Sequence, residues 1–284
     1  MKLFRQRIID ELKLFGYSGM TTRNYVEAVN DLARYHGRSP EFLSEQDIKA
    51  FLLYSQKRGL APSSMRNLRC GIVFYFTHVL KKQIEVENIP SMKQEFRLPL
   101  ILSTSEVERL LSAVTDLKHK TMLMTFYATG MRLEELRLLR IENIDSKRMT
   151  IKIMGKGKRE RYVNLSTILL EQLRTYWRAY KPREYLFVTS TKQQPYHRRS
   201  LQLIFEESKK LAQIQKRGGV HMLRHSYATH LFESGVPAFL IQRLLGHQNI
   251  ATTQKYVFVA KNSITSVTSP LDLLSISAIK GEAL

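Results

Sequence analysis

The sequence predicts a mainly α-helical protein with one small β-sheet or hairpin, divided into two domains. Three observations support this prediction. The first ninety residues show apolar patterns with helical spacing, a stretch with two prolines and little periodicity follows, and the later part switches once to a β-type alternation. We therefore expect a helical domain at 1–88, a linker at 89–103 and a second domain at 104–284.

Four helices are predicted in the first domain. FRQRIIDELKLF ends at a glycine, and the second helix carries Tyr25, Val29 and Leu32 at the spacing of one helical face. The third begins after Ser44, whose hydroxyl can cap it. Asp47 occupies the position where Glu or Gln normally completes a capping box, so we expect an imperfect box. The fourth, APSSMRNLRCGIVFYFTHVLKK, has a nearly continuous apolar centre, and the spacing of the four predicts a compact helical bundle.

The second domain is predicted to be helical around one hairpin. A capped helix, STSEVERLLSAV, precedes an apolar core helix that is interrupted at Gly130. Ile151 and Ile153 then alternate with polar residues, a GKGK turn follows, and Val163 and Leu165 continue the pattern, which predicts a β-hairpin. EYLFVTS is predicted as a short extended run. Helices resume with RRSLQLIFEESKKLAQ, HMLRHSYATHLFESG, PAFLIQRLLG and NIATTQKYVFVAK.

The composition favours nucleic acid as a partner. The chain has 284 residues, with 45 Lys and Arg against 25 Asp and Glu, and a formal net charge of +20. Such an excess attracts polyanions. A merely basic protein is the alternative on composition alone. No apolar run approaches the roughly 20 residues of a membrane span, and the single cysteine, Cys70, excludes an intramolecular disulfide.

The stretch HMLRHSYATHLFESG has three interpretations. His221 and His225 are four residues apart, a spacing that can bind zinc, but no Glu follows the first His and Arg224 adds positive charge. A helix with neutral core histidines is the second interpretation. The third is phosphate chemistry, because His221 and Arg224 share a helical face and an Arg fork beside a His donor matches phosphate oxygens.

A site for phosphate transfer also needs a second cation, a proton donor and a nucleophile. Arg132 follows Gly130 at the start of a helix, where backbone amides favour an anion. Lys156 lies in the predicted hairpin turn, His247 ends LLGH, and Tyr256 follows nine residues later. Each feature is common alone, whereas the order and spacing of the whole set are specific.

The segments ATGMRLEEL, GKGKRERYVNL, HMLRHSYATHLFESG and LLGHQNIATTQKY together resemble the tyrosine recombinases of the phage integrase family, most of all its Xer-type members. The family's ordered pattern of Arg, Lys, His-x-x-Arg, His and Tyr is filled at every position. The N-terminal half resembles the family's SAM-like core-binding domain, so the resemblance covers nearly the whole chain. Glu134 and Asn164 stand where many relatives have Ser and Pro, and neither occupies a catalytic position.

The resemblance implies a site-specific DNA recombinase that works through a 3′-phosphotyrosyl intermediate without metal, cofactor or ATP. The two arginines would clamp the nonbridging phosphate oxygens and the lysine would protonate the leaving 5′ oxygen. The first histidine would act as an acid/base or donor, and the second as a further donor. The implied catalytic set is Arg132, Lys156, His221, Arg224, His247 and the nucleophile Tyr256, with Glu135 orienting Arg132 or a neighbour.

Partners are also implied by the resemblance. Two basic lobes would close around double-stranded DNA, and four protomers would assemble on two sites in the bacterial cytoplasm, at the nucleoid. The tail after Tyr256 would dock on a neighbouring protomer or on its own domain. A second recombinase or an accessory DNA-bending protein is a further candidate partner. RRSLQLIFEESKK is a candidate major-groove helix or an ordinary surface helix, and the candidate DNA contacts are Lys158, Arg159, Arg161, Arg198, Arg199 and Lys209.

Two other functions stay open at this point. A non-catalytic DNA-binding accessory protein would share the fold, but the intact set of six residues argues against it. A type IB topoisomerase would share the chemistry, but the N-terminal bundle favours recombination. Chromosome dimer resolution, transposon cointegrate resolution, and integration or excision of a mobile element are the candidate roles, because all of them use this chemistry.

Overall fold

The computed structural model describes residues 2–82, 98–155, 160–189, 194–247, 249 and 251–257. The chain forms two compact units, Met1–Phe96 and Arg97–Leu284. Most of the linker expected at 89–103 lies outside the described residues, so its exact limits stay a prediction. In the parts that are described, no helix has both the length and the apolar character needed to cross a membrane.

The described part of the first unit is a bundle of four α-helices. The helices are α1 (Lys2–Leu14), α2 (Gly19–His36), α3 (Glu45–Lys57) and α4 (Pro62–Phe74), and a π-helical turn at Tyr75–Val79 extends α4. Apolar side chains from all four helices form its core, among them Ile8, Leu32, Ile48 and Ile72, none of which is exposed. The predicted helical bundle is confirmed.

The capping box at the start of α3 is complete, and the expectation of an imperfect one was wrong. Ser44 Oγ accepts a hydrogen bond from the backbone N–H of Asp47 at 3.3 Å, and Asp47 Oδ2 accepts one from the Ser44 N–H at 2.8 Å. The same carboxylate oxygen accepts from the Ser44 hydroxyl at 2.8 Å. These bonds from Ser44 lower the pKa of Asp47, because they favour its charged form.

The second unit is helical around one sheet. Its α-helices in the described residues are α5 (Thr104–Ala113), α6 (Leu117–Thr129), α7 (Leu133–Arg137), α8 (Thr167–Tyr180), α9 (Arg198–Leu211), α10 (His221–Glu233), α11 (Ala238–Leu245) and α12 (Ala251–Val257). Most of them share one large apolar core with the sheet. A smaller core joins α10, α11 and α12 through Ala228, Ile241, Leu245 and Tyr256.

The sheet has three antiparallel strands in the order β1 (Ile144–Asp145), β2 (Thr150–Met154) and β3 (Glu160–Asn164). Ile151 pairs with Val163, and both side chains are buried. The two predicted hairpin strands are therefore confirmed. The sequence did not predict β1, because two residues are too few to show an alternation. Residues 156–159 of the predicted turn lie outside the described part of the chain.

The described part of the predicted extended run EYLFVTS, residues 184–189, forms isolated bridges. Tyr185 bridges Arg140, and Val188 bridges Pro195. Leu186, Phe187 and Val188 are all buried. Three consecutive buried apolar side chains indicate a segment enclosed on both sides, which the sequence pattern of an extended run does not distinguish from a strand.

Candidate active site

Arg224 is a buried cation at the centre of the candidate site. It lies on α10, is 4% exposed, and donates to the carbonyl oxygens of Gly130 at 2.5 Å and Leu245 at 2.8 Å. A third bond joins its guanidinium to Nε2 of His247 at 3.0 Å. Burial and the nearby charge of Arg132 lower the pKa of Arg224 to about 10, so it stays charged at neutral pH. Arg224 thus ties α10 to the C-terminal ends of α6 and α11.

Gly130 supplies one of those carbonyls from a position that requires glycine. It caps α6 with a left-handed φ of +57°. A Cβ at this position would overlap the ring of Tyr227 and press against Leu245. Only glycine, which has no side chain, fits the conformation and the space in which the Gly130 carbonyl accepts from Arg224.

We expect Gly130→Ala to lower the free energy of unfolding by about 3 kcal/mol, the sum of left-handed strain and overpacking. Urea unfolding of the full chain measures this change. Gly219→Ala is the matched control, since its added Cβ meets no atom within 4 Å and its φ is not in the left-handed region. Equal unfolding midpoints for the two variants would contradict the assigned role of Gly130.

Glu135 holds two arginines at the start of α7. Its carboxylate accepts from Nη1 and Nη2 of Arg161 at 2.9 and 2.6 Å, and from Nη1 of Arg132 at 3.0 Å. It also accepts the backbone N–H of Arg132 at 2.6 Å. Arg161 further donates to the Leu244 carbonyl at 2.8 Å, and Arg132 donates to that of Gly246 at 3.2 Å. One buried carboxylate therefore fixes the guanidinium of Arg132 relative to β3 and α11.

The charged form of Glu135 is strongly stabilised. Burial alone would raise its pKa, but the hydrogen bonds and charge of Arg161, reinforced by Arg132, lower it to about 2 from the ordinary 4.5. A carboxyl whose pKa is lower in the folded state stabilises the fold above its ordinary pKa. That stabilisation is lost as the pH falls from 4.5 towards 2.

We expect Glu135→Gln to be about 3 kcal/mol less stable than the unaltered chain at pH 7, with the difference shrinking below pH 4.5. Denaturation by urea at a series of pH values measures this. Glu171→Gln, on the exposed surface of α8, is the control. A difference that does not change with pH would contradict the described ion pairs.

His247 is held as a neutral imidazole. Because Arg224 can only donate, Nε2 of His247 is the acceptor, and its Nδ1 carries the proton and donates to Thr253 Oγ1 at 2.9 Å. Burial, followed by the charges of Arg224 and Arg132, lowers the pKa of His247 to about 3. This histidine therefore joins α12 to the arginine cluster.

Tyr256 lies in the same place, in the small core of α10, α11 and α12. It is 3% exposed, its hydroxyl is 3.1 Å from Nδ1 of His225, and its ring stacks on His247 at a centroid distance of 6.2 Å. Burial raises the pKa of the phenol, whereas the charges of Arg224 and Arg132 oppose that change. The hydroxyl is therefore protonated at neutral pH and interacts electrostatically with both guanidinium groups.

His221 begins α10, one turn before Arg224. The residue is exposed, but its ring packs against Phe126 at a centroid distance of 6.2 Å. Partial burial of the ring and the charges of Arg224, Arg198 and Arg132 lower its pKa. A bound anion would offset those charges, so the site is prepared for a negatively charged ligand.

An open cleft of about 1010 Å³ adjoins these groups within the second unit. Its lining includes the cations Arg132, Arg161 and Arg243, together with Glu160 and the neutral His247. Several cations on one concave surface form an electropositive site for a polyanion.

The structure thus brings four of the six predicted catalytic residues together: Arg132, Arg224, His247 and Tyr256. His221 lies on the same helix as Arg224, and Lys156 lies outside the described residues. Glu135, predicted to orient Arg132, contacts it directly.

The predicted DNA contacts fare differently. Lys158 and Arg159 lie outside the described residues. The side chain of Arg161 is 8% exposed and donates to Glu135 and Leu244, and its predicted DNA contact, which would require it to release these bonds, stays a prediction. Lys209 donates to the carbonyls of Lys216 and Gly218 at 3.0 and 2.9 Å, which favours a loop-stabilising role. Arg199 is exposed, and Arg198 is exposed beside Glu134 at 3.1 Å; both stay predictions as DNA contacts.

Sequence reasoning missed three contributors. Gly130 was noted as a helix break, and its carbonyl bond to Arg224 had no sequence signal. Thr253 was not singled out at all. His225 was considered only as a zinc ligand or a core residue, because its distance along the chain from Tyr256 gives no hint of their contact. In the described residues, no group of three or more metal-binding side chains is present.

Two family models match the chain. The phage integrase family matches residues 101–263, and the phage integrase N-terminal SAM-like domain matches residues 4–86. A Sinorhizobium fredii protein, y4qK, described provisionally as an integrase/recombinase, is 36% identical over 277 residues, covering 96% of this chain and 90% of that one. Tyrosine recombinase XerD of Staphylococcus aureus is 30% identical, covering 82% and 84%, and XerC of Bacillus pumilus is 29% identical, covering 87% and 88%.

Solved structures share the fold. XerH site-specific recombinase bound to its palindromic difH substrate aligns with a TM-score of 0.76 and 24% identity, covering 87% of this chain and 78% of that one. A lambda integrase tetramer bound to a Holliday junction aligns with a TM-score of 0.72 and 18% identity, covering 87% and 77%. At these identities the likeness establishes the architecture only.

Proposed function

Because this chain belongs to the phage integrase family and is a site-specific recombinase of the tyrosine class, we propose that it cleaves and rejoins DNA with Tyr256 as its nucleophile. One observation carries the assignment of residues. Arg224 contacts His247, and the ring of His247 stacks on Tyr256. The charges of Arg224 and Arg132 both act to lower the pKa of the phenol. This arrangement supports the proposal that the nucleophile and the anion-binding groups come from one and the same chain.

In the proposed cleavage step, the phenolic oxygen of Tyr256 attacks the scissile phosphorus and the bond to the 5′ oxygen breaks. Arg132 and Arg224 stabilise the charge that builds on the nonbridging oxygens. A guanidinium has five N–H donors, so Arg224 can bind a phosphate while keeping contacts that orient it. Lys156 is proposed to give the leaving 5′ oxygen its proton.

The two histidines complete the proposed binding of the phosphate. His221 opens α10 beside Arg224, where it can donate to a nonbridging oxygen or exchange a proton. His247 can donate to the same phosphate once Nε2 gains a proton and gives up its bond from Arg224, a change that an anion beside it would favour. The phosphotyrosyl link conserves the bond energy, so a free 5′-hydroxyl can reverse the reaction on a new strand without ATP.

The proposed substrate is duplex DNA, bound largely through phosphate contacts. The net charge of +20 and the cationic cleft support this, and binding should weaken steeply with salt. By analogy with the lambda integrase tetramer on a Holliday junction, we place four protomers on two sites. The proposed tail exchange concerns residues after 257, which lie outside the described part of the chain. A DNA substrate places the activity in the bacterial cytoplasm.

The test begins with duplexes that the full-length protein selects by binding from a randomised library. A selected duplex with a nick beside each candidate phosphate traps the cleaved complex, because the short 5′-hydroxyl fragment diffuses away. We expect a species in which protein and DNA stay linked in detergent. If folded protein binds a selected duplex but forms no such species, the proposed cleavage is contradicted and the chain is an accessory DNA-binding protein. Relaxation of plasmids that lack the selected site would instead indicate a topoisomerase.

A further inference from the structure

A histidine outside the six-residue set touches the reactive hydroxyl. Nδ1 of His225 lies 3.1 Å from the phenolic oxygen of Tyr256, and the two rings are tilted at a centroid distance of 5.8 Å. His225 follows Arg224 on α10, while Tyr256 lies on α12. The contact therefore spans two helices and fixes the nucleophile to the helix that carries the phosphate-binding arginine.

The surroundings keep His225 uncharged. Burial, the neighbouring imidazole of His221 and the cations Arg224 and Lys255 lower its pKa to about 4. The neutral ring has one nitrogen free of hydrogen. A tyrosine hydroxyl can donate or accept, and in the tautomer that carries the ring proton on Nε2, Nδ1 of His225 accepts from the phenol.

The other nearby imidazole is occupied. Nε2 of His247 accepts from Arg224 and its Nδ1 donates to Thr253. Both ring nitrogens of His247 are thereby committed in this arrangement. Nδ1 of His225 faces the phenol and can accept its proton, and that geometry distinguishes His225 from His247.

We propose that His225 orients the hydroxyl of Tyr256 and takes its proton as the phenolic oxygen attacks the phosphate. This inference rests on the proposed function of Tyr256. The O–H bond breaks and its proton passes to Nδ1 of His225. The released electron pair forms the bond between oxygen and phosphorus, and the bond from phosphorus to the 5′ oxygen breaks. The phosphate's negative charge stabilises the imidazolium that forms, and the proton returns on religation.

A second histidine–tyrosine pair, between His230 on α10 and Tyr127 on α6, provides an internal control. Nδ1 of His230 lies 2.8 Å from the hydroxyl of Tyr127, and burial also lowers the pKa of His230. The pair therefore has the same chemistry without a reacting atom. His230→Asn controls for any general effect of removing a partly buried histidine from this helix.

The experiment measures the rate of covalent attachment to a selected, nicked duplex at saturating protein. His225→Asn retains a hydrogen-bonding atom near the position of Nδ1 but cannot take up a proton. We expect it to lower the attachment rate about 100-fold, within the range for loss of a general base. The dissociation constant for the duplex should not change. His225→Ala should be slower still and should regain activity when imidazole is added, a rescue that a purely structural role does not produce.

A substrate with sulfur in place of the scissile 5′ oxygen separates the two proton transfers. Sulfur leaves without protonation, so this duplex should restore cleavage by Lys156→Ala and should leave His225→Asn slow. Rescue of His225→Asn by the sulfur substrate would overturn the proposal, because it would place His225 on the leaving-group side. An unchanged attachment rate would also overturn it. A faster rate would overturn it as well, because it would show that the contact restrains the phenol.

The outcomes separate this inference from the function on which it rests. Failure of the unaltered protein to attach would contradict the assignment of Tyr256, and the role of His225 would fall with it. Normal attachment by the unaltered protein and by both His225 variants would contradict the inference alone. A His225 variant with lowered DNA affinity and no imidazole rescue would indicate a structural role and would likewise overturn it.

Discussion

Tyr256→Phe is expected to abolish covalent attachment to DNA while the protein stays folded and still binds its site. The substitution removes the oxygen that attacks phosphorus and keeps the ring, which is 3% exposed and packs with Ala228, Ile241 and Leu245. The loss of one hydrogen bond to His225 costs about 1 kcal/mol. The measurement is the yield of detergent-resistant complex on a nicked duplex, alongside gel-shift affinity.

Tyr127→Phe is the matched control for this prediction. It removes a hydroxyl on α6 that lies 2.8 Å from His230, a histidine on the same helix as His225, and the variant should attach normally. A detergent-resistant complex formed by Tyr256→Phe would show that another side chain is the nucleophile, and the assignment of this helix would fail.

Arg224→Lys is expected to slow attachment about 1000-fold, at the upper end of the loss when one preorganised donor to a reacting oxyanion is removed. Lysine keeps the charge, so the buried position is not left without a cation. Its single ammonium cannot reproduce a planar fork that donates to Gly130, Leu245 and His247 at once. The phosphate contact and the position of His247 should be lost together.

Arg174→Lys, at an exposed position on α8, controls for the general effect of this exchange. Single-turnover rates on the same nicked duplex provide the comparison. An attachment rate for Arg224→Lys equal to that of Arg174→Lys would contradict the central place given to Arg224.

Local patterns made much of the fold and part of the site predictable. The helix that carries His221 and Arg224 follows from its apolar spacing, and residues three apart on one helix share a face in any tertiary context. Ile151 and Val163 alternate with polar neighbours, so their hairpin was predictable too. Such features depend on neighbours in sequence and do not require knowledge of distant contacts.

Long-range pairing was not predictable. Arg161 lies in a basic hairpin, where arginines are usually solvated, and its burial depends on Glu135, which is 26 residues away in the chain. Lys209 lies on a helix that was a candidate for the DNA major groove. Its ammonium instead donates to two carbonyls in the loop that follows this helix, seven and nine residues further along the chain. A pattern of positive charge predicts that a residue binds an acceptor, but only the fold decides whether that acceptor is DNA or a group of the protein itself.

The contact between His225 and Tyr256 belongs to the same class. These residues are 31 positions apart, and nothing in either helix specifies that they meet. The packing of α12 on α10 and α11 through a small apolar core brings them together. A histidine that looks from sequence like a core residue therefore acquires chemistry from a neighbouring helix.

The most direct test of the account is to identify the residue that becomes linked to DNA. Protein trapped on a nicked, selected duplex is digested with protease and nuclease, and the modified peptide is sequenced by mass spectrometry. We expect a 3′-phosphate on the peptide that contains Tyr256, in ATTQKYVFVAK. A nucleotide on any other tyrosine, or on a serine or histidine, would contradict it.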